Sequence, residues 1–245
     1  MKARATLAVA VTLLLAACGG APSGSRAGLA SGSPSSSPAS PASPSPAGPP
    51  VFQGTIQTIP AELASSNLAG TWHPGCPVAI SELRLLTLGY WGFDGMVHQG
   101  PMVVNAAVAS KVVWVFRQLF AARFPIQEMA LSTKYDPSAN PNTRTNITAS
   151  FNCRPIVTPS GPGTSFSMHA SGLAIDINPL LNPFVGADGT VLNRFSRPYH
   201  DRSLEVSGMI HAGDAVVRAF AHIGWSWGGD WSSGQDYMHF SSNGR

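Results

Sequence analysis

The sequence predicts an α+β domain, a small antiparallel sheet flanked by helices, on three observations. Two segments have helical spacing of apolar residues, four short apolar runs read as strands, and long Pro/Asn/Gly/Ser stretches separate them. Over residues 105–122 (NAAVASKVVWVFRQLFAA) the apolar positions recur at i, i+3 and i+4, and Pro125 follows, so a helix is expected there. Residues 213–223 (GDAVVRAFAHI) repeat the pattern, with Gly224 as the stop. Strands are expected at 103–104 with the segment before it, and at 129–133, 173–178 and 237–241. Residues 137–146 and 155–163 read as long loops, which in a compact domain usually carry function.

The first fifty residues have no place in that domain. Lys2 and Arg4 precede an apolar run over 7–15, the pattern of a secretory signal over 1–17 and too short for a membrane span, which needs about 20 apolar residues. Its end, Leu15-Ala16-Ala17-Cys18-Gly19, resembles a bacterial lipobox, which would make Cys18 the lipid-modified N-terminus. Residues 18–51 are Ser, Pro, Ala and Gly with almost no charge, a composition that cannot offset the entropy of ordering and that suits a disordered tether. The expected folded domain is 52–245.

The formal net charge of +3 falls to about +1 once Lys2 and Arg4 are removed, too little for nucleic-acid binding. With Cys18 assigned to lipid, Cys76 and Cys153 remain. In an exported chain they read as a disulfide, the alternative being two buried free thiols; a soft metal site is disfavoured, because two isolated cysteines lack the close pairing that zinc ribbons use.

One acid stands out. Asp176 lies inside the strand-like run Leu173-Ala174-Ile175-Asp176-Ile177, where an unpaired carboxylate costs several kcal/mol to desolvate. An arginine such as Arg154 or Arg218 could pair with it. So could a cation: His169 precedes it by seven residues, and His239 sits in a second strand-like run, Tyr237-Met238-His239-Phe240. Two imidazoles and a carboxylate are a ligand set for catalytic zinc, which keeps its fourth position for water.

The stretch "SMHASGLAID", with Ser167, His169, Gly172, Ala174 and Asp176, resembles the SxHxxGxAxD motif of bacterial zinc D-alanyl-D-alanine carboxypeptidases and related cell-wall peptidases. "GGDWSSGQDYMHF" resembles their second motif, an acid three residues before a histidine followed by an aromatic. "WHPGCPV", "YWGFDGMVHQGPMVV", "RFPIQEM", "FNCRP" and "DINPLLNPFV" are similar to further stretches of exported members, so the likeness runs over most of 70–240.

The resemblance implies the fold shared by these peptidases and the hedgehog signalling domain, with His169, Asp176 and His239 as Zn2+ ligands. It implies Asp236 as catalytic acid/base, although an orienting role behind His239 is open to the same residue. Arg154 corresponds to the arginine that grips a substrate carboxylate, with a structural ion pair as its alternative, and Ser167 to a serine that hydrogen-bonds substrate. The expected activity is hydrolysis of peptidoglycan stem peptides by a D-alanyl-D-alanine carboxypeptidase. An endopeptidase, or a zinc-containing cell-wall binding module, are the rivals. The expected partners are those stem peptides and, through the lipid anchor, the outer face of the bacterial cytoplasmic membrane; the chain is expected to be a monomer. Residues 142–151, "NTRTNITASF", depart from the resemblance: one residue is added before Phe151 and an acid is missing in the loop that presents Arg154. Asp230 and Trp231 are family-like without an assigned role. His73, His98, His200, His211 and His222 need no metal to explain them.

Overall fold

The computed structural model describes residues 48–132, 142–158 and 161–244. The expected signal sequence, Cys18 and most of the expected tether lie outside them. The described part falls within one compact unit, Gly48–Arg245. It is a mixed α/β structure of small, mainly antiparallel sheets and few helices.

The first sheet is β1 (Gly54–Thr58), β2 (Leu83–Trp91) and β3 (Val97–Asn105), antiparallel in the order β1-β2-β3. A short helix α1 (Ala61–Ser65) lies between β1 and β2. In β2 and β3 the core side is Leu86, Leu88, Met102 and Val104, all 1 % exposed or less. Asn105 both ends β3 and caps the turn after it: its side chain accepts from the Ala107 amide, opening a 3-10 turn that leads into α2 (Ala109–Ala121). Val112, Val115, Phe116 and Leu119 form the helix's buried stripe, as the spacing predicts.

Beyond α2 come β4 (Glu128–Met129) and β5 (Ile147–Thr148), a parallel pair, and then β6 (Pro155–Thr158) and β7 (Gly161–Phe166), an antiparallel hairpin. The expectation of a loop over 155–163 is therefore corrected for the described residues: 155–158 and 161–163 are strand, held by backbone pairing despite their Pro and Gly content. The strand expected over 129–133 is shorter, ending at Met129, and its last residue lies outside the described part. Of the loop expected over 137–146, residues 137–141 lie outside the described part, and 142–146 have no helix or strand.

The remaining elements carry the site. β8 (Ala174–Asp176), β10 (Ser226–Trp227) and β12 (His239–Ser241) make an antiparallel sheet in the order β10-β12-β8. A second small pair joins β9 (Phe184–Val185) to β11 (Gln235–Asp236). α3 (Ala215–His222) buries Val216, Ala219 and Phe220 and stops at Gly224, as expected. One core joins both larger sheets to α2 and α3; Phe220 stacks on Phe240 at 4.1 Å between ring centroids. No helix among the described residues is long and apolar enough to cross a membrane.

Candidate metal centre and active site

Strand periodicity places two of the expected ligands. β12 and β8 pair with His239 opposite Asp176 and Phe240 opposite Ile175. Successive side chains point to opposite faces, so Phe240 and Ile175, both fully buried, enter the core together. His239 and Asp176 are thereby left side by side on the other face, as a directly opposed cross-strand pair.

The third arrives on a turn. Residues Met168–Ser171 form a 3-10 turn begun by Ser167, whose Oγ accepts from the His169 amide. Gly172 closes the turn in the left-handed region, φ 65° and ψ 29°. Its carbonyl accepts from the Asn105 amide, and the Asn105 side chain donates to the Ser171 carbonyl, so the end of β3 pins the turn. A Cβ at Gly172 would stand 2.6 Å from the Asn105 nitrogen. Gly172→Ala is therefore expected to cost about 1–3 kcal/mol, from the left-handed conformation alone before any clash. Denaturant unfolding checks this; an unchanged midpoint would show that the turn relaxes freely.

His169 Nδ1 lies 2.7 Å from the Ser150 carbonyl. A carbonyl only accepts, so Nδ1 carries the hydrogen and Nε2 of the neutral ring presents its lone pair. That lone pair faces Asp176 Oδ2 at 3.2 Å and His239 Nδ1 at 3.2 Å, while His239 Nδ1 lies 3.1 Å from Asp176 Oδ1. Both imidazoles are buried, at 3 % and 5 % exposure. Burial pushes the His169 pKa down and so favours the neutral ring, against the pull of Asp176. Burial alone would raise Asp176, but the two imidazoles outweigh it and hold its carboxyl well below the usual range.

A buried lone pair aimed at a carboxylate is two acceptors with no hydrogen between them, which a shared cation resolves. The spacing agrees: ligands about 2.0–2.1 Å from a tetrahedral zinc stand about 3.3 Å apart. The three donor atoms lie within 4.8 Å of one another. The residues present fit a divalent metal. Neither arginine considered for Asp176 is its partner: Arg154 Nη1 donates to the Pro155 carbonyl and Arg218 Nη1 to the Gly213 carbonyl.

Asp236 reaches the same place on β11, opposite Phe184 of β9. Gly228 lets it in, since a Cβ there would meet the Asp236 carbonyl oxygen at 2.5 Å. The following residue is fixed by its backbone: the Tyr237 amide donates to the Pro183 carbonyl, and Trp227 Nε1 donates to the Tyr237 carbonyl at 2.8 Å. Asp236 Oδ1 is shut off from solvent and has no hydrogen-bond partner among the described residues. Burial raises its pKa to about 7; His239 and Arg154 oppose that rise and Asp176 adds to it.

His169, Asp176, His239, Asp236, Arg154 and Ser167 line one cavity of about 520 Å³. The structure thus brings together every residue expected around the metal and substrate. Ser167 has a role beyond the expected one, capping the turn that carries His169. Cys76 and Cys153 form a disulfide immediately before Arg154. Two participants escape a search for chemical side chains. One is the Ser150 carbonyl, a backbone acceptor that no residue type announces. The other is Trp231, whose ring lies 5.6 Å from that of His239. The segment 142–151 that departs from the resemblance supplies that carbonyl, and its Ala149 exchanges both backbone hydrogen bonds with Asp176.

No curated protein and no solved structure matches the chain. Residues 160–242 match the model of a family described as D-alanyl-D-alanine carboxypeptidase, and that segment holds Ser167, Asp236 and all three ligand-type residues but not Arg154. Over those residues, about a third of its length, the chain is similar to the D-alanyl-D-alanine carboxypeptidase family of peptidases.

Proposed function

We propose that this protein is a zinc metallopeptidase of the hedgehog/DD-peptidase fold that removes the terminal D-alanine from peptidoglycan stem peptides. The observation that carries this reading is the pairing of a ligand trio made for a cation with an unsatisfied, buried carboxylate in the same cavity. Zinc held by His169, Asp176 and His239 supplies Lewis-acid polarisation of a carbonyl and acidification of water. Asp236 takes the proton of the attacking water and returns it to the leaving amine. Its buried Oδ1 has no other hydrogen-bond partner among the described residues, so it is placed to accept that proton and give it back. Trp231 Nε1, also buried without a partner among the described residues, lines the cavity and gives substrate a donor.

Arg154 favours a carboxypeptidase over an endopeptidase. Among the described residues lining the cavity it is the one Lys or Arg, and its hydrogen bond to Pro155 is long, 3.3 Å. A guanidinium so placed suits a terminal carboxylate through its bidentate fork. Arg154→Ala is expected to raise KM about 10–100-fold, the 1.5–3 kcal/mol of a hydrogen bond to a charged group, with a smaller effect on kcat. An unchanged KM on substrates ending in D-Ala-D-Ala removes the argument for carboxypeptidase.

The deciding experiment is mass spectrometry of zinc-loaded protein incubated with such muropeptides. Loss of one alanine, blocked by a chelator, is expected. Cleavage within the stem makes the protein an endopeptidase, and intact substrate with metal bound makes it a binding module. We place it at the outer face of the cytoplasmic membrane, as a monomer anchored through lipid on Cys18, on the signal and lipobox pattern of 1–19. Incorporation of labelled fatty acid that is lost in Cys18→Ala tests the anchor.

A further inference from the structure

A second group of ligand-type side chains lies outside the cleft. His73, Cys76 and Cys153 bring one imidazole nitrogen and two sulfurs within 4.8 Å of one another. His73 Nε2 stands 3.4 Å from Cys153 Sγ, and the His73 amide donates to Cys76 Sγ at 3.2 Å. The ring's tautomer is set by its other nitrogen. Nδ1 lies 2.9 Å from the Pro74 carbonyl, so it carries the hydrogen, and Nε2 presents a lone pair to the sulfur.

Toward a disulfide that lone pair achieves little, because neither atom has a hydrogen to share. Toward a metal thiolate site it is a ligand already in place. Zinc takes Sγ at about 2.3 Å and imidazole nitrogen at about 2.0 Å, which sets neighbouring S and N ligands about 3.5 Å apart in a tetrahedron. The observed separation is 3.4 Å.

We infer that two-electron reduction of the Cys76–Cys153 disulfide turns His73, Cys76 and Cys153 into a second, sulfur-rich metal site, for zinc or a similar thiophilic divalent cation. A dithiol supplies the two electrons and two protons and closes its own disulfide, leaving two thiols here. The cation then releases both thiol protons to solvent and takes two thiolates and neutral Nε2, with water in the fourth position. Exposure fits each part: Cys153 is buried, Cys76 is half-buried and open to a reductant, and His73 is exposed, so the fourth position faces water. The segment holding the site is tied independently of the sulfurs. The Cys153 amide donates to the Thr71 carbonyl at 2.9 Å, and Trp72 Nε1 donates to the Val78 carbonyl at 2.9 Å.

Cobalt distinguishes the two sites. Bound by His169, Asp176 and His239 it has no sulfur ligand; bound by the new site it gains a sulfur-to-cobalt charge-transfer band in the near ultraviolet. The full chain carrying Cys18→Ser, so that Cys76 and Cys153 are its only cysteines, is reduced anaerobically with a phosphine, freed of it and titrated with Co2+. The reduced chain is expected to develop the band and the oxidised chain to lack it. Cys76→Ser is expected to abolish the band. His73→Ala, an exposed position, is expected to keep the oxidised circular dichroism and to weaken cobalt binding in the reduced chain at least tenfold. A reduced chain with native circular dichroism and no band overturns the proposal, as does equal affinity in His73→Ala. Loss of native circular dichroism on reduction overturns it too, since the fold must hold the three ligands together.

Discussion

Asp236→Ala is expected to retain metal while kcat falls about 10²–10⁴-fold, the usual contribution of a positioned general acid or base. The expectation rests on placement. Asp236 lines the cavity with the ligand trio yet is not one of the ligand atoms that converge, and its buried Oδ1 is free to meet a proton. Metal content by mass spectrometry of the native protein, set beside kcat, checks it. Loss of metal in this variant would reassign Asp236 to holding His239. The same carboxyl also leaves a mark on stability in chelated protein. Its pKa is about 7 in the folded chain, against an ordinary value of 3.8. Below the lower value both states hold the proton and the stabilisation is complete. As pH rises from there to about 7, the unfolded chain has released a proton that the folded chain keeps, so stability falls. Asp236 therefore contributes a fall in the stability of the metal-free protein across that window, against the rise that His169, with its lowered pKa, contributes toward pH 6.5; in denaturant unfolding, Asp236→Asn should remove the fall and make the measured slope more positive. An identical slope in the variant would remove burial of Asp236 as its cause.

His169→Ala is expected to lose metal and activity together. Removing a hydrogen-bond partner behind a ligand typically costs 10–100-fold in metal affinity, so removal of the ligand itself should exceed about 100-fold. In the wild type, metal at 100 times its dissociation constant should stabilise the fold by about 2.7 kcal/mol, and His169→Ala should lose most of that gain. Unfolding with and without added zinc measures it directly. A variant that still gains the full increment would show that the trio is not where the metal sits.

The residues of the candidate site are more legible in the sequence than the architecture that gathers them. His169, Asp176, Asp236 and His239 declared themselves because ionisable residues among Ile175, Ile177 and Phe240 demand compensation, and because two separated motifs agreed on one site. The helices declared themselves through the stripe Val112, Val115, Phe116, Leu119. β2 did not: "LRLLTLGYW" is rich in leucine, poor in β-branched residues, and buried irregularly along its length, so neither a period of two nor one of 3.6 emerges. β1 is exposed throughout and held by backbone pairing to β2, which leaves no hydrophobic trace. The hairpin β6–β7 hid for a related reason, its Pro, Gly and Ser content reading as loop. The partner of His169 hid because it is a carbonyl, and every residue has one.

The central strand of the sheet that carries His239 and Asp176, β12, follows both of its neighbours in chain order. Neither flanking strand pairs with the other, so until β12 arrives this sheet has no backbone ladder and the site lacks His239. The contacts that complete the trio are 63 and 70 residues apart in sequence. A chain cut between β8 and β12 keeps His169 and Asp176, whose ties to Ser150 and Ala149 do not involve β12, but loses His239 and the middle strand of this sheet. The ligand trio is thus complete only in a chain that includes the segment carrying β12.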